Sequence, residues 1–370
     1  MKHSLIKNDK FSIFEVISES RLELMGLASI WILCFHKIYS FFTSDVPVLN
    51  TVDSLIVTSG YSGVDVFLLL SGMGLVFALD KNSSIKRFYY RRARRLFLPY
   101  LVVSILIALA NEWSLIYYLK AVSGYSFLFE DVHALLWYVH TILIFYLFFP
   151  LYYYVVKSSK HKDVVVAIAF LLSVIFPTVL TFFDLKIVGL SYLSNRIPIF
   201  ITGTAIAFAR NRPEQRIKKG HIIVCSIIFC FWLLLMYSTL PNINPIVPLN
   251  YIPDYVLLAY LVAVSLTILV SYLFGRISKD SFLRKVLRKI GVISFELYCV
   301  QESLTIFVSK LIGEHIHISN AFAIKVIRNI ACLVSCFVVA YLLHLMNEKI
   351  MQVVDKRVLY NHNKQKNGGG

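Results

Sequence analysis

Few side chains in this sequence can move a proton from inside an apolar segment, and His36 is the first. It closes the run RLELMGLASIWILCFH, from Arg21 to His36, which is apolar enough to enter a membrane apart from its ionisable ends. An ionisable residue in a spanning helix is expensive, so its presence points to function. A histidine there can serve as a general base or as an acyl-accepting nucleophile, with an ordinary pKa of ~6.5. The competing reading is a structural imidazole hydrogen-bonded between helices. Asp65, in GYSGVDVFLLLSG, is expected at similar depth on an antiparallel neighbour. Bonded to one ring nitrogen, its carboxylate would orient His36. Alternatively it caps its own helix N-terminus.

A second group is cationic. RFYYRRARRLFLPY carries Arg92 and Arg95 at i and i+3, on one helical face. Arginines suit phosphates through bidentate contacts, although an ordinary basic anchor beside anionic lipid would read the same way. Further polar side chains fall in later apolar runs: Arg196 in SNRIPIFITG, and Glu296, Gln301 and Glu302 in FELYCVQESLTIF. Such groups line a wet cavity or lock helices together as a buried pair. His133 and His140 flank Trp137 and are expected to be mainly structural, with Trp137 lining the same cavity. The glycines around Ser71, Gly72 and Gly74 suggest close helix packing.

The elements that must position these residues are transmembrane helices. The chain has 370 residues, 58% of them hydrophobic, which is too apolar for a soluble domain of this size. About ten runs reach the ~20 apolar residues needed to span a bilayer. They are placed at 22–42, 64–79, 96–110, 135–156, 164–183, 192–209, 222–240, 255–274, 292–311 and 324–350. The expected fold is therefore an all-α polytopic membrane protein. It comprises a tail at 1–20, one transmembrane domain at 21–350, and a second tail at 351–370. The net charge of +16 is read as topology rather than as nucleic-acid binding. Most of the 37 lysines and arginines fall on one side of the proposed spans; Lys37, Lys120, Lys186, Arg196, Lys310, Lys325 and Arg328 fall on the other. That bias puts both termini in the cytoplasm. Residues 111–134, rich in aromatics, suit an interfacial or re-entrant lid, and the prolines at 241, 245, 248 and 253 suit a stiff connection. The six cysteines lack metal-ligand spacing and are expected to be small buried hydrophobes; no metal site is expected.

Together these segments resemble the acyltransferase-3 family of bacterial membrane acyltransferases. Gly26 and His36 match the family's opening helix, and GVDVFLLLSGMGL its second-helix motif. Arg92, Arg95 and Pro99 match its cytoplasmic Arg-x-x-Arg segment and the proline after it. LWYVHTILIFYLFFPLYY, RIPIFITG and ISFELYCVQE resemble later segments. The resemblance implies a multi-pass protein of the bacterial inner membrane. It implies O-acyl transfer, usually of acetyl, from cytoplasmic acyl-CoA as co-substrate to a hydroxyl of a cell-surface glycan or glycolipid, with no permanently bound cofactor. It implies that His36 is catalytic and that Arg92 and Arg95 serve the CoA side. Two positions depart from the pattern. The family arginine eleven residues before the histidine is Met25 here, with Arg21 one turn earlier on the same face, where it either substitutes or serves as one more positive-inside anchor. The family's Val-His-Glu is Val300, Gln301 and Glu302. The rival reading is a glycan or lipid transporter, or a flippase-like protein, in which the same polar groups line a pathway.

Overall fold

A computed structural model describes residues 12–36, 47–133, 135–183, 187–212, 216–238, 256–316 and 319–367. Every regular element among them is helical. In order they are α1 (Ile13–Glu19), α2 (Arg21–Phe35), α3 (Pro47–Ser59), α4 (Ser62–Lys81), α5 (Ile85–Ala110) and α6 (Leu115–Ser123). Then come α7 (Tyr125–Phe129), α8 (Trp137–Ser158), α9 (Lys162–Phe182), α10 (Val188–Ser194) and α11 (Ile197–Phe208). The last five are α12 (Lys219–Ser238), α13 (Val256–Arg276), α14 (Phe282–Val292), α15 (Ser294–His315) and α16 (Ala321–Asn367).

Each apolar run expected to span contains a helix. Among the described residues, five helices are long and apolar enough to cross a membrane: α4, α5, α8, α9 and α16. A sixth span arises if α14 and α15, which meet at 76°, count as one. The first run is shorter than expected. α2 ends at Phe35, His36 caps it, and residues 37–46 lie outside the described residues, as do the prolines at 241–253. The sixth run is broken into α10 and α11 at Asn195 and Arg196. Three elements were not expected, one of them α3, which lies between the first two runs. α1, with a capping box between Ser12 and Glu15, buries Val16 and Ile17, so the described part of the first tail belongs to the body. The basic stretch before the ninth run forms α14.

α4 is the central helix, packed against α2, α11, α13 and α8. Two of its contacts depend on absent side chains. A Cβ on Gly72 would lie 2.3 Å from the Phe200 carbonyl oxygen, and one on Gly203 would lie 2.1 Å from that of Leu69, so α4 and α11 touch backbone to backbone. The same device joins α2 to α14 through Gly26 and Gly291. That seam is locked by a buried charge cluster. Arg284 donates to Glu23 at 2.9 Å and to the Phe274 carbonyl at 2.8 Å, while Arg288 donates to Glu23 at 2.7 Å. Arg284 is 2% exposed, and a charge so deep persists only when paired and hydrogen-bonded.

The aromatic segment at 111–134 holds the short helices α6 and α7. Ser114 caps α6 by accepting from the Tyr117 amide, and Gly124, at φ +82°, turns the chain into α7. Gly124 rests on His140, which stacks on Phe127 and shares a 3.0 Å hydrogen bond with Tyr100. This is a structural setting for His140. α6 leaves Leu115, Ile116 and Leu119 exposed, a pattern suited to an apolar interface.

Candidate active site

The helices around α4 enclose a cavity of about 40 Å³, lined by side chains from α2, α4, α5, α8 and α15. One end of it is cationic. Arg21 and Met25, one turn apart on α2, both line it, and Arg95 enters from α5. Arg21 turns inward rather than out to the surface: its guanidinium lies over Gly74, where a Cβ would sit 2.9 Å from Nη2. Its Nε is buried without a hydrogen-bond partner. Arg92 lies close enough for its charge to act on Arg21, as does Arg95. The Arg92 guanidinium sits between the rings of Phe88 and Tyr146, 5.5 and 5.4 Å from their centroids. None of these three arginines has a carboxylate partner among the described residues. Their neighbour Arg94 points elsewhere, pairing with Asp355 of α16 at 3.2 Å.

Arg21 and Arg95 on the cavity, with Arg92 beside them, repel one another, and an anion would relieve that repulsion. The start of α15 adds to the field. Ser294 and Phe295, in its first turn, line the cavity, and the free backbone amides of a helix N-terminus favour negative charge. The Ser294 hydroxyl is buried without a partner.

At the other end of the bundle lies a second polar group. His36 is half-buried, its ring 5.3 Å from that of Phe35. Glu302 of α15 and His133 lie near enough to act on it electrostatically. Asp65 does not orient it. Both carboxylate oxygens of Asp65 lie 3.2 Å from Nη1 of Arg196, and the pair is almost wholly buried. The expected Asp65–His36 hydrogen bond is thus replaced by an ion pair. The reason is local: the break between α10 and α11 puts Arg196 at the start of α11, beside the first turn of α4. The guanidinium of Arg196 also covers Trp137, 5.8 Å from the ring centroid, and Trp137 packs on Tyr192, which His133 meets in turn.

The later polar residues separate. Glu296 does not line the cavity; it binds His344 of α16 at 3.0 Å and joins α15 to that helix. Gln301, 1% exposed, has neither amide atom paired. Glu302 is exposed. The structure therefore brings together Arg21, Arg92 and Arg95 at one end, and Asp65, Arg196 and Trp137 at the other, with His36 near Glu302.

Reading the sequence for ionisable groups missed the walls between these ends: Phe67, Leu70 and Ser71 on α4, Tyr138, Ile142 and Tyr146 on α8, Tyr298 on α15. Their i, i+3 and i+4 spacings place each set on one helical face, a usable signal. In a chain that is 15% aromatic, that signal recurs too often to single them out.

A family model described as an acyltransferase domain matches residues 24–345 of this chain. No curated protein and no solved structure matches it.

Proposed function

The chain belongs to the acyltransferase-3 family, a membrane acyltransferase by its domain and its apolar helices, and on that premise we propose that it moves an acetyl group from cytoplasmic acyl-CoA to a hydroxyl of a cell-surface glycan or glycolipid. The observation that carries this reading is the convergence of Arg21 and Arg95 on one end of the cavity, with Arg92 beside them and no carboxylate partner for any of the three among the described residues. A CoA nucleotide is a polyanion on a long thin arm. Arginines at the mouth hold its phosphates by charge-assisted hydrogen bonds. The arm then carries the thioester inward, past the partially positive start of α15.

In this reading about ten helices cross the bacterial inner membrane, with the arginine end and both termini cytoplasmic and His36 towards the outer face. The basic residues of α5 and α14, at the arginine end, support that orientation. His36 takes the proton of the acceptor hydroxyl as its oxygen attacks the thioester carbonyl; the carbon–sulfur bond then breaks, and the CoA thiolate leaves with the proton that His36 gives up. Alternatively His36 attacks first, expels the CoA thiolate, and passes the acyl group on to the hydroxyl. Glu302, near the ring, stabilises the imidazolium. Asp65, fixed by Arg196, holds the floor on which Trp137 and Tyr192 present aromatic faces to the acceptor. Arg21 stands in for the arginine that the family usually has at Met25.

Mass spectrometry of surface glycans from cells with and without the gene tests this. The expected result is an ester-linked acetyl group present only with the gene and removed by mild base. Identical ester content in the two would refute the assigned function.

A further inference from the structure

The cavity stops short of His36, and three rings form its end. Along each wall, the lining residues can be ordered from the arginine end to the histidine end. On α4, which runs from the histidine end to the arginine end, the last is Phe67; on α8, which runs the same way, it is Tyr138; on α15, which runs the opposite way, it is Tyr298. Tyr138 touches both of the others. The Phe67 and Tyr138 centroids are 6.0 Å apart, and those of Tyr138 and Tyr298 are 5.0 Å apart, edge to face. The next polar residues beyond them are Asp65, Trp137, and Gln301 with Glu302, each within about one helical turn. Along α4, α8 and α15 these rings stand between the arginine end of the cavity and the His36 end.

We propose that Phe67, Tyr138 and Tyr298 form a size gate that admits a short acyl group to the His36 side and turns away longer ones. The inference rests on the acyl-CoA reading above. Two of the rings are tied. The Tyr298 hydroxyl accepts from the Tyr138 backbone amide at 3.3 Å, and the Tyr138 hydroxyl lies beside Ser71. Phe67 has no polar tether, so it is the leaf that swings. The space it can free is small. Met25 and Leu70 close the flanks, and the present cavity of about 40 Å³ has room for about three waters. An acetyl group brings three heavy atoms; each further methylene needs space that the packed flanks do not offer.

The test uses the purified full-length protein, with the envelope of cells lacking the gene as acceptor, and follows release of CoA thiol from acetyl-, propionyl-, butyryl- and hexanoyl-CoA. The wild type is expected to lose about tenfold or more in kcat/KM per added methylene. Phe67→Ala should move that cut-off out by at least two carbons, and Phe67→Leu by less. If Phe67→Ala does not fold, Phe67→Leu carries the comparison. Turnover of acetyl-CoA with a length profile that neither Phe67 variant alters would overturn the gate while leaving the transfer reading intact. No turnover of any acyl-CoA by the wild type would overturn both.

Discussion

Arg21 is where sequence and family pattern conflict, and its geometry gives the conflict a physical form. A basic residue at the edge of a spanning helix ordinarily sends its long stem out to water. Here the stem bends inward over Gly74, into the cavity that Met25 also lines. The substitution reading therefore makes a double-mutant prediction. Arg21→Ala should lose most acyl transfer, and Met25→Arg added to it should restore part, because both positions reach the same space. An Arg21→Ala protein that is fully active would leave Arg21 as a topology anchor. The three arginines should also differ in salt dependence. Arg95 is exposed, and its contact with a phosphate is screened over ~8 Å at physiological ionic strength. Arg95→Ala should thus weaken CoA binding at low salt and matter little at high salt, whereas the Arg21→Ala deficit should persist. Isothermal titration with CoA at two ionic strengths separates them.

At the residue scale the sequence showed which types could act but not which would pair. His36, Arg92 and Arg95 stood out because ionisable groups in apolar runs are costly. The partner of Asp65 was not legible, since a buried carboxylate accepts any cation within reach, and Arg196 reaches it only because the sixth run breaks. Which of its two readings Glu296 would take was not legible for the same reason: His344 lies far along the chain, and only the packing of α15 on α16 brings them together.

Among the elements, α14 was the least visible from sequence. Its charges, Arg284, Lys285, Arg288 and Lys289, read as a basic loop, yet they form one helix whose inner face carries Leu287 and Gly291. Its position matters because the bend that follows sets the start of α15 on the cavity. A Cβ on Gly291 would come within 1.9 Å of the Leu22 carbonyl oxygen, a backbone atom that cannot swing away. Gly291→Ala should therefore push α14 off α2 and destabilise the protein by about 1–3 kcal/mol, the usual cost of overpacking. Thermal unfolding in detergent reads this directly, and an unchanged midpoint would mean the seam is looser than the geometry requires. Gly313, which has open space around it, is the control: Gly313→Ala should leave the midpoint unchanged or slightly raised.

For the molecule as a whole, the account joins a cationic mouth, a ring-closed cavity and a histidine. The all-helical architecture was legible from hydropathy, because each spanning helix must meet its own backbone hydrogen bonds and is written as a long apolar run. The closure of the cavity was not, because it depends on the order in which α4, α8 and α15 meet. Arg21 and His36 lie about 22 Å apart along α2 at 1.5 Å per residue, so donor and acceptor ends are distinct places. The most direct measurement is transfer of radiolabelled acetyl from acetyl-CoA to envelope from cells lacking the gene, by purified wild type and by His36→Ala. The account predicts a loss of about 10²-fold or more in His36→Ala, the scale of general base catalysis, with acetyl-CoA affinity and thermal midpoint unchanged. Acetyl transfer by His36→Ala at the wild-type rate would contradict it.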